Sequence, residues 1–220
     1  MANLYMIPNW FLGYDLILEL AFAIISLIVS IYSFKIYRLS EQTQSKLFGI
    51  AFLFISISYF IQSFLNFTII SKLNENISII LKIISVNVLN TIGIYAHILF
   101  FITGLITLTY MTLKIKSAKT YSLLFITIIL SLVFSSNKLY LFYLLSSILL
   151  IYILIHYLTN YLKNKQSKTL LVLAAFAFLL FGSIHFIFAV NHSLYYVIGH
   201  SLELIAYLLI LINLILVVRK

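Results

Sequence analysis

Seven long apolar runs, separated by short polar segments, constrain this chain more than any other feature. A helix needs about 20 apolar residues to cross a bilayer, and the runs have about that length. Hydrophobic residues make up 64% of the 220 positions and charged residues 9%, whereas a soluble globular protein is about half apolar and about a quarter charged. A fold of this size cannot bury that surplus in its interior. The sequence therefore excludes a water-soluble domain and predicts an all-α integral membrane protein.

The apolar runs predict one polytopic domain, a bundle of seven transmembrane helices that takes in the whole chain. The predicted helices cover residues 16–37, 47–69, 90–113, 119–135, 139–161, 169–190 and 196–218. In the segment 71–89, Ile77, Ile80, Leu81 and Ile84 recur at helical spacing. That spacing predicts a short helix lying on the outer membrane interface. The alternative is an apolar linker that lies on the lipid surface without a defined role.

The basic residues sort to alternate sides of the predicted bundle. Eleven Lys and Arg residues lie in or beside the loops after the first, third and fifth helices and at the end of the seventh, and three lie on the other side. By the positive-inside rule, this predicts an outside N-terminus, a cytoplasmic C-terminus and a multi-pass protein of the cytoplasmic membrane. The net charge is +9, but the basic residues are dispersed, so we expect no nucleic-acid binding. Besides the lipid bilayer, a membrane or cytoplasmic signalling partner is expected at the basic inner loops.

Several ionisable residues interrupt the apolar runs, where each costs several kcal/mol and needs a partner or a function. With a rise of about 1.5 Å per residue, Glu19, His185 and His200 lie about 5–7 Å below the outer surface, and His97 and Glu203 about 10 Å. Other polar side chains at this level, or on the same helix faces, are Gln62, Asn66, Asn90, Tyr196 and Tyr207. Polar stripes on five helices at one depth predict a polar pocket in the outer half of the bundle.

The pocket allows three functional interpretations. The first is a sensor or ligand-binding membrane protein. The second is a metal-dependent membrane hydrolase, because the set His97, His185, His200 and Glu203 is typical of ligands for zinc or a similar divalent ion. The third is an electron-transfer protein in which two of these histidines ligate haem. A histidine in a membrane helix can also be a hydrogen-bonded packing residue, so whether the protein is an enzyme stays open. The chain has no Cys, which excludes thiolate metal sites.

Two resemblances and one internal repeat bear on these interpretations. The segment 199–210, GHSLELIAYLLI, resembles the last helix of multi-helix sensor input modules of bacteria and archaea. His200-Ser-Leu-Glu203 is an HxxE pattern, so the similarity to the CREST-type membrane hydrolases, which close their zinc site with HxxxH, is one of chemistry. The strings after Tyr37 and Tyr161, which end in Gln-Ser-Lys, predict a parallel duplication of three helices around a central linker helix.

Overall fold

The computed structural model describes residues 8–11, 13–73, 86–113, 117–189 and 192–218. Within these ranges, side chains are described except for those of residues 9, 69–73, 86–90 and 218. A short 3-10 turn, Asn9–Phe11, precedes the first helix. The described residues form seven α-helices: α1 Tyr14–Ser40, α2 Thr43–Leu73, α3 Val86–Leu113, α4 Ala118–Phe134, α5 Lys138–Asn164, α6 Ser167–Phe188 and α7 Leu194–Val218.

Six of the seven helices are long and apolar enough to cross a membrane, and α4, with 17 residues, is the shorter apolar helix. Large apolar side chains cover the outer surface of the bundle as well as its core; Phe134, for example, is 83% exposed. Such a surface is typical of a protein whose surroundings are lipid. The structure thus agrees with an α-helical, multi-pass membrane bundle.

The helices form a ring in which α4 stands outside. Neighbours in the ring are α1 and α2, α2 and α3, α3 and α5, α5 and α6, α6 and α7, and α7 and α1, and α4 packs only lightly on α3 and α5. Two three-helix groups, α1–α3 and α5–α7, therefore face each other. Buried apolar side chains from both groups form one continuous core.

The course of α4 follows from contacts at its two ends. The hydroxyl groups of Tyr121, near the start of α4, and Thr107, in the second half of α3, are 3.2 Å apart. After α4, the ammonium group of Lys138 lies 5.7 Å from the ring centre of Tyr95, in the first half of α3. Helix α4 therefore runs back along α3 over about 26 Å, the length of 17 helical residues.

Polar residues define several helix ends. Asn137 caps α5 because its side-chain oxygen accepts from the Tyr140 amide at 3.2 Å. Glu41 (φ 55°) follows the last residue of α1 and caps it, because its backbone N–H donates to the Tyr37 carbonyl. Lys165 caps α5 in the same way and donates to the Tyr161 carbonyl. These are the two places where the sequence repeats.

The neighbouring helices take up both ends of the segment that is predicted as an interfacial helix. Helix α2 continues to Leu73 and α3 already begins at Val86. The remaining residues, 74–85, which include Ile77, Ile80, Leu81 and Ile84, lie outside the described part of the chain. The interfacial helix stays a prediction.

Candidate functional site

Two acidic side chains of α1 share one amide of α2. Asp15 and Glu19 lie one turn apart near the start of α1 and are 0% and 1% exposed. The side-chain NH₂ of Asn66 donates to Glu19 Oε2 at 2.8 Å and to Asp15 Oδ2 at 3.2 Å. Asp15 Oδ1 also accepts from the backbone amides of Gly13 and Leu16, both at 2.9 Å, at the end of the helix where free amides favour negative charge. Neutral donors thus hold both carboxyl groups.

A third acid, Glu203, enters the same end of the bundle from α7. It is buried, and the Tyr59 hydroxyl of α2 donates to its Oε1 at 3.0 Å. Its Oε2 lies 3.6 Å from His200 Nδ1, beyond hydrogen-bond distance. Glu19 is near enough to Glu203 for the two to interact electrostatically. No Lys or Arg among the described side chains forms an ion pair with Asp15, Glu19 or Glu203.

Aromatic rings enclose His200. The Phe22 ring lies nearly parallel to the imidazole with centroids 6.1 Å apart, and Phe11 lies 6.1 Å away. Phe186 and Tyr196 meet the imidazole edge-on at 5.1 and 4.5 Å. His200 is 4% exposed, and neither ring nitrogen has a hydrogen-bond partner among the described residues. A buried polar group without a partner is unusual and calls for an explanation.

His97 of α3 is hydrogen-bonded to α2. Its Nδ1 lies 2.8 Å from Ser58 Oγ and 3.1 Å from the Ser58 carbonyl oxygen, and Ser58 Oγ donates to the His97 carbonyl at 2.8 Å. The neighbouring Tyr59 ring has its centroid 6.3 Å from the imidazole centroid. Tyr59 therefore contacts the histidine of α3 while its hydroxyl bonds the acid of α7.

The other predicted site residues divide into three cases. Gln62 is half-buried and offers Glu19 a second hydrogen-bonding side chain. Tyr196 and Tyr207 are buried on the same face of α7 as Glu203 and His200, as the stripe on that helix predicts. Asn90 belongs to α3, but its side chain lies outside the described part of the structure.

The predicted four-ligand metal set is not supported. Among the described residues, no group of three or more His, Asp or Glu side chains is arranged to hold a metal ion. His185 is the clearest departure, because its half-buried ring lies 5.8 Å from Tyr195 and its Nδ1 bonds the Phe181 carbonyl at 2.7 Å. These contacts occupy one ring nitrogen of His185 and do not connect its ring with Glu203.

Among the described residues, the cavity that adjoins Glu203 is too small for a large cofactor. An internal cavity of about 10 Å³ adjoins Glu203, Tyr207 and Ser183, which is room for about one water molecule. A haem held by two histidines needs facing imidazoles with the porphyrin between them. Tyr59 and Glu203 instead connect His97 to His200 through direct contacts.

Sequence reasoning missed Tyr59, Ser58 and the phenylalanines around His200. A signal for Tyr59 was present, since it precedes Gln62 by three positions and Asn66 by seven, which places all three on one face of α2. The phenylalanines gave none, because Phe is common throughout the apolar runs. Only the packing of helices against one another selects Phe22 from its neighbours.

No protein-family model matches this chain, and neither the curated proteins nor the solved structures include one that is significantly similar to it. Function is therefore inferred from the side chains of the site.

Proposed function

We propose that this protein is a membrane sensor or ligand-binding protein whose site takes up a small, positively charged ligand. The site consists of Asp15, Glu19 and Glu203, with Asn66 and Tyr59 as neutral donors. One observation carries the proposal: three buried carboxyl groups converge from α1 and α7 with no described Lys or Arg to pair with them.

The physical reason is the cost of negative charge in an apolar bundle. A buried carboxylate costs several kcal/mol unless it is neutralised or paired. Amide and hydroxyl donors reduce that cost without removing the charge. A proton or a small cation would remove it, and so the state of the bundle would depend on the concentration of that ligand.

The proposal includes a topology. With α4 as a seventh crossing, which its course along α3 supports, the ends of α1, α3, α5 and α7 lie on the side with eleven basic residues. That side would be cytoplasmic, the N-terminus outside, and the carboxyl cluster in the outer half of a cytoplasmic membrane. The carboxyl cluster would lie near the outer side of the membrane. A cytoplasmic signalling partner would therefore contact the basic side, at the opposite end of the bundle.

Ligand-dependent stability in lipid nanodiscs tests the proposal. The thermal unfolding midpoint of the full chain is measured with Na⁺, K⁺, Mg²⁺ or Zn²⁺ at fixed pH, and without added cation from about pH 5 to about pH 8. A ligand that binds only the folded state stabilises it by about 2.7 kcal/mol at about 100 times its Kd. We expect one of these ligands to raise the midpoint with saturation.

Variants decide whether the carboxyl cluster is responsible. Glu19→Gln and Glu203→Gln should weaken or abolish the response, because each removes one negative charge with little change of shape. Glu41→Gln is the matched control, since Glu41 is exposed at the end of α1. The proposal is overturned if no cation and no change of pH alters the midpoint, or if all variants respond like the wild type.

A further inference from the structure

His200 is a buried polar side chain that the packing leaves without a hydrogen bond. Its side chain is 5% exposed, and both ring nitrogens lack a partner among the described residues. The nearest charged group is the Glu203 carboxyl, with Oε2 at 3.6 Å from Nδ1. The imidazole is thus aimed at the acid across a gap somewhat longer than a hydrogen bond.

Four aromatic rings lie around the His200 imidazole. The Phe22 ring lies nearly parallel to it, with an interplanar angle of 18°, and the Tyr196 and Phe186 rings stand at 74° and 73° to it. A cation over an aromatic face within about 6 Å is attracted by the ring electrons, and more so when water is excluded. The Phe22 ring is nearly parallel at about this limit, 6.1 Å, and Glu203 Oε2 lies 3.6 Å from Nδ1, so both would stabilise a proton shared by the pair.

The cavity beside Glu203 limits what can bind next to that carboxyl group. The cavity beside Glu203 holds about 10 Å³, and about one water molecule fills that volume. The proton is the cation that needs no cavity of its own. We propose that the positively charged ligand is the proton, and that His200 and Glu203 bind it as a pair; this inference rests on the proposed function.

Uptake of one proton takes the pair from a net charge of −1 to 0. The proton comes from water and is held between Nδ1 of His200 and the Glu203 carboxyl group. The neutral pair is the more stable state in an apolar bundle. The thermal unfolding midpoint should therefore rise as the pH falls through the transition of the pair.

Several other titratable groups lie near the His200–Glu203 pair. Around His200 and Glu203 they are Tyr196 and Tyr207 on α7, Asp15 and Glu19 on α1, Tyr59 on α2, His97 on α3 and Tyr143 on α5. Helix α6 contributes the Phe186 ring, which does not titrate. The pair differs from these groups in having an imidazole and a carboxyl group within 4 Å.

The N-terminal turn provides an optical reporter of the pair. Trp10 is the single tryptophan of the chain; it is 63% exposed, and its ring centroid lies 5.5 Å from that of Phe11. Phe11 in turn contacts His200. A change of charge on His200 should reach Trp10 through this contact, so tryptophan fluorescence should change with the same pH midpoint as stability.

The test compares pH titrations of the full chain in nanodiscs, read by unfolding midpoint and by Trp10 fluorescence. The wild type should show one transition in both readouts, and His200→Phe and Glu203→Gln should lose it. His192→Gln and Glu41→Gln should keep it, because His192 and Glu41 are exposed. If His200→Phe does not fold, the NMR titration of the imidazole Cε1–H signals in the wild type still shows whether a buried histidine gains the proton.

The outcomes separate this inference from the proposed function. A transition that persists in both His200→Phe and Glu203→Gln, or that is lost in His192→Gln, overturns the proton-binding pair. If Na⁺, K⁺, Mg²⁺ or Zn²⁺ stabilises the wild type through Glu19 and Glu203 while pH has no effect, the cation site stands and the proton is the wrong ligand. If neither pH nor any cation acts, both proposals fail.

Discussion

Replacing Asn66 by alanine is expected to lower the free energy of unfolding by about 1–3 kcal/mol. The Asn66 amide makes two interhelical hydrogen bonds, to Glu19 at 2.8 Å and to Asp15 at 3.2 Å. Hydrogen bonds between membrane helices are worth about 0.6 kcal/mol on average and up to about 1.7 each, which sets that range for two bonds. The effect should lie in its upper part, because both acceptors are buried acids that would lose a donor.

The assay is reversible unfolding of the purified protein in mixed micelles, with Asn66→Ala, Glu19→Gln and the double variant measured side by side. If the amide matters because it holds a carboxyl group, its removal should cost less once Glu19 is replaced by the uncharged glutamine. The double-mutant cycle isolates that coupling. Asn213→Ala is the matched control, because the Asn213 side-chain oxygen has no partner among the described residues.

Two results would refute the reasoning about Asn66. One is a cost no greater than that of Asn213→Ala, which would mean that the two hydrogen bonds add nothing to stability. The other is the same cost in the Glu19→Gln background as in the wild type, which would assign the effect to lost packing.

Three further predictions concern other parts of the bundle. Tyr59→Phe should destabilise by about 0.5–2 kcal/mol, since Glu203 loses its donor, whereas Tyr140→Phe at an exposed ring should be neutral in the same unfolding assay. Gly104→Ala should cost about 1–3 kcal/mol, because the added methyl group would lie 2.9 Å from the backbone oxygen of Ala51; an unchanged unfolding curve would contradict the close contact of α2 and α3. A reporter enzyme that works only in the cytoplasm should be active when fused to the C-terminus, and activity confined to an external reporter would contradict the topology.

The helices themselves were readable from the sequence. The seven observed helices begin and end within about four residues of the predicted bounds. Helix formation in lipid is a local requirement, because each spanning segment must satisfy its own backbone hydrogen bonds. The length of an apolar run and the polar residues at its ends are therefore sufficient to locate a helix.

The repeat predicted from the loops agrees with the arrangement of the helices, although the duplication itself stays a prediction. The two three-helix groups contact each other through α1 with α7 and through α3 with α5. Phe22 of α1 packs on His200, and Phe142 of α5 packs on His97. Ser26 and Ser146, one turn further along each helix, are both buried. A parallel duplication would produce these matching contacts.

The candidate site was predicted in part. The prediction named Glu19, Asn66, His200 and Glu203, and the structure brings them to one end of the bundle. It also named His185, whose Nδ1 bonds the Phe181 carbonyl and whose ring contacts Tyr195. The depth of a residue in the membrane follows from its position along the helix, so residues at the same depth can be identified from the sequence. The direction of a side chain around the helix axis is not, unless one face is clearly polar.

By itself the sequence determined the helical scaffold: apolar helices, their lengths, their order and the uneven distribution of charge between alternate loops. These properties depend on the lipid solvent and on neighbouring residues along the chain. Only the tertiary structure decided which of the polar side chains within the apolar helices contact one another. A helix in lipid is apolar on all sides, with Phe52 buried and Phe64 exposed on the same α2. Its rotation is therefore set by packing against its neighbours, and in α2 that rotation brings Tyr59 to Glu203.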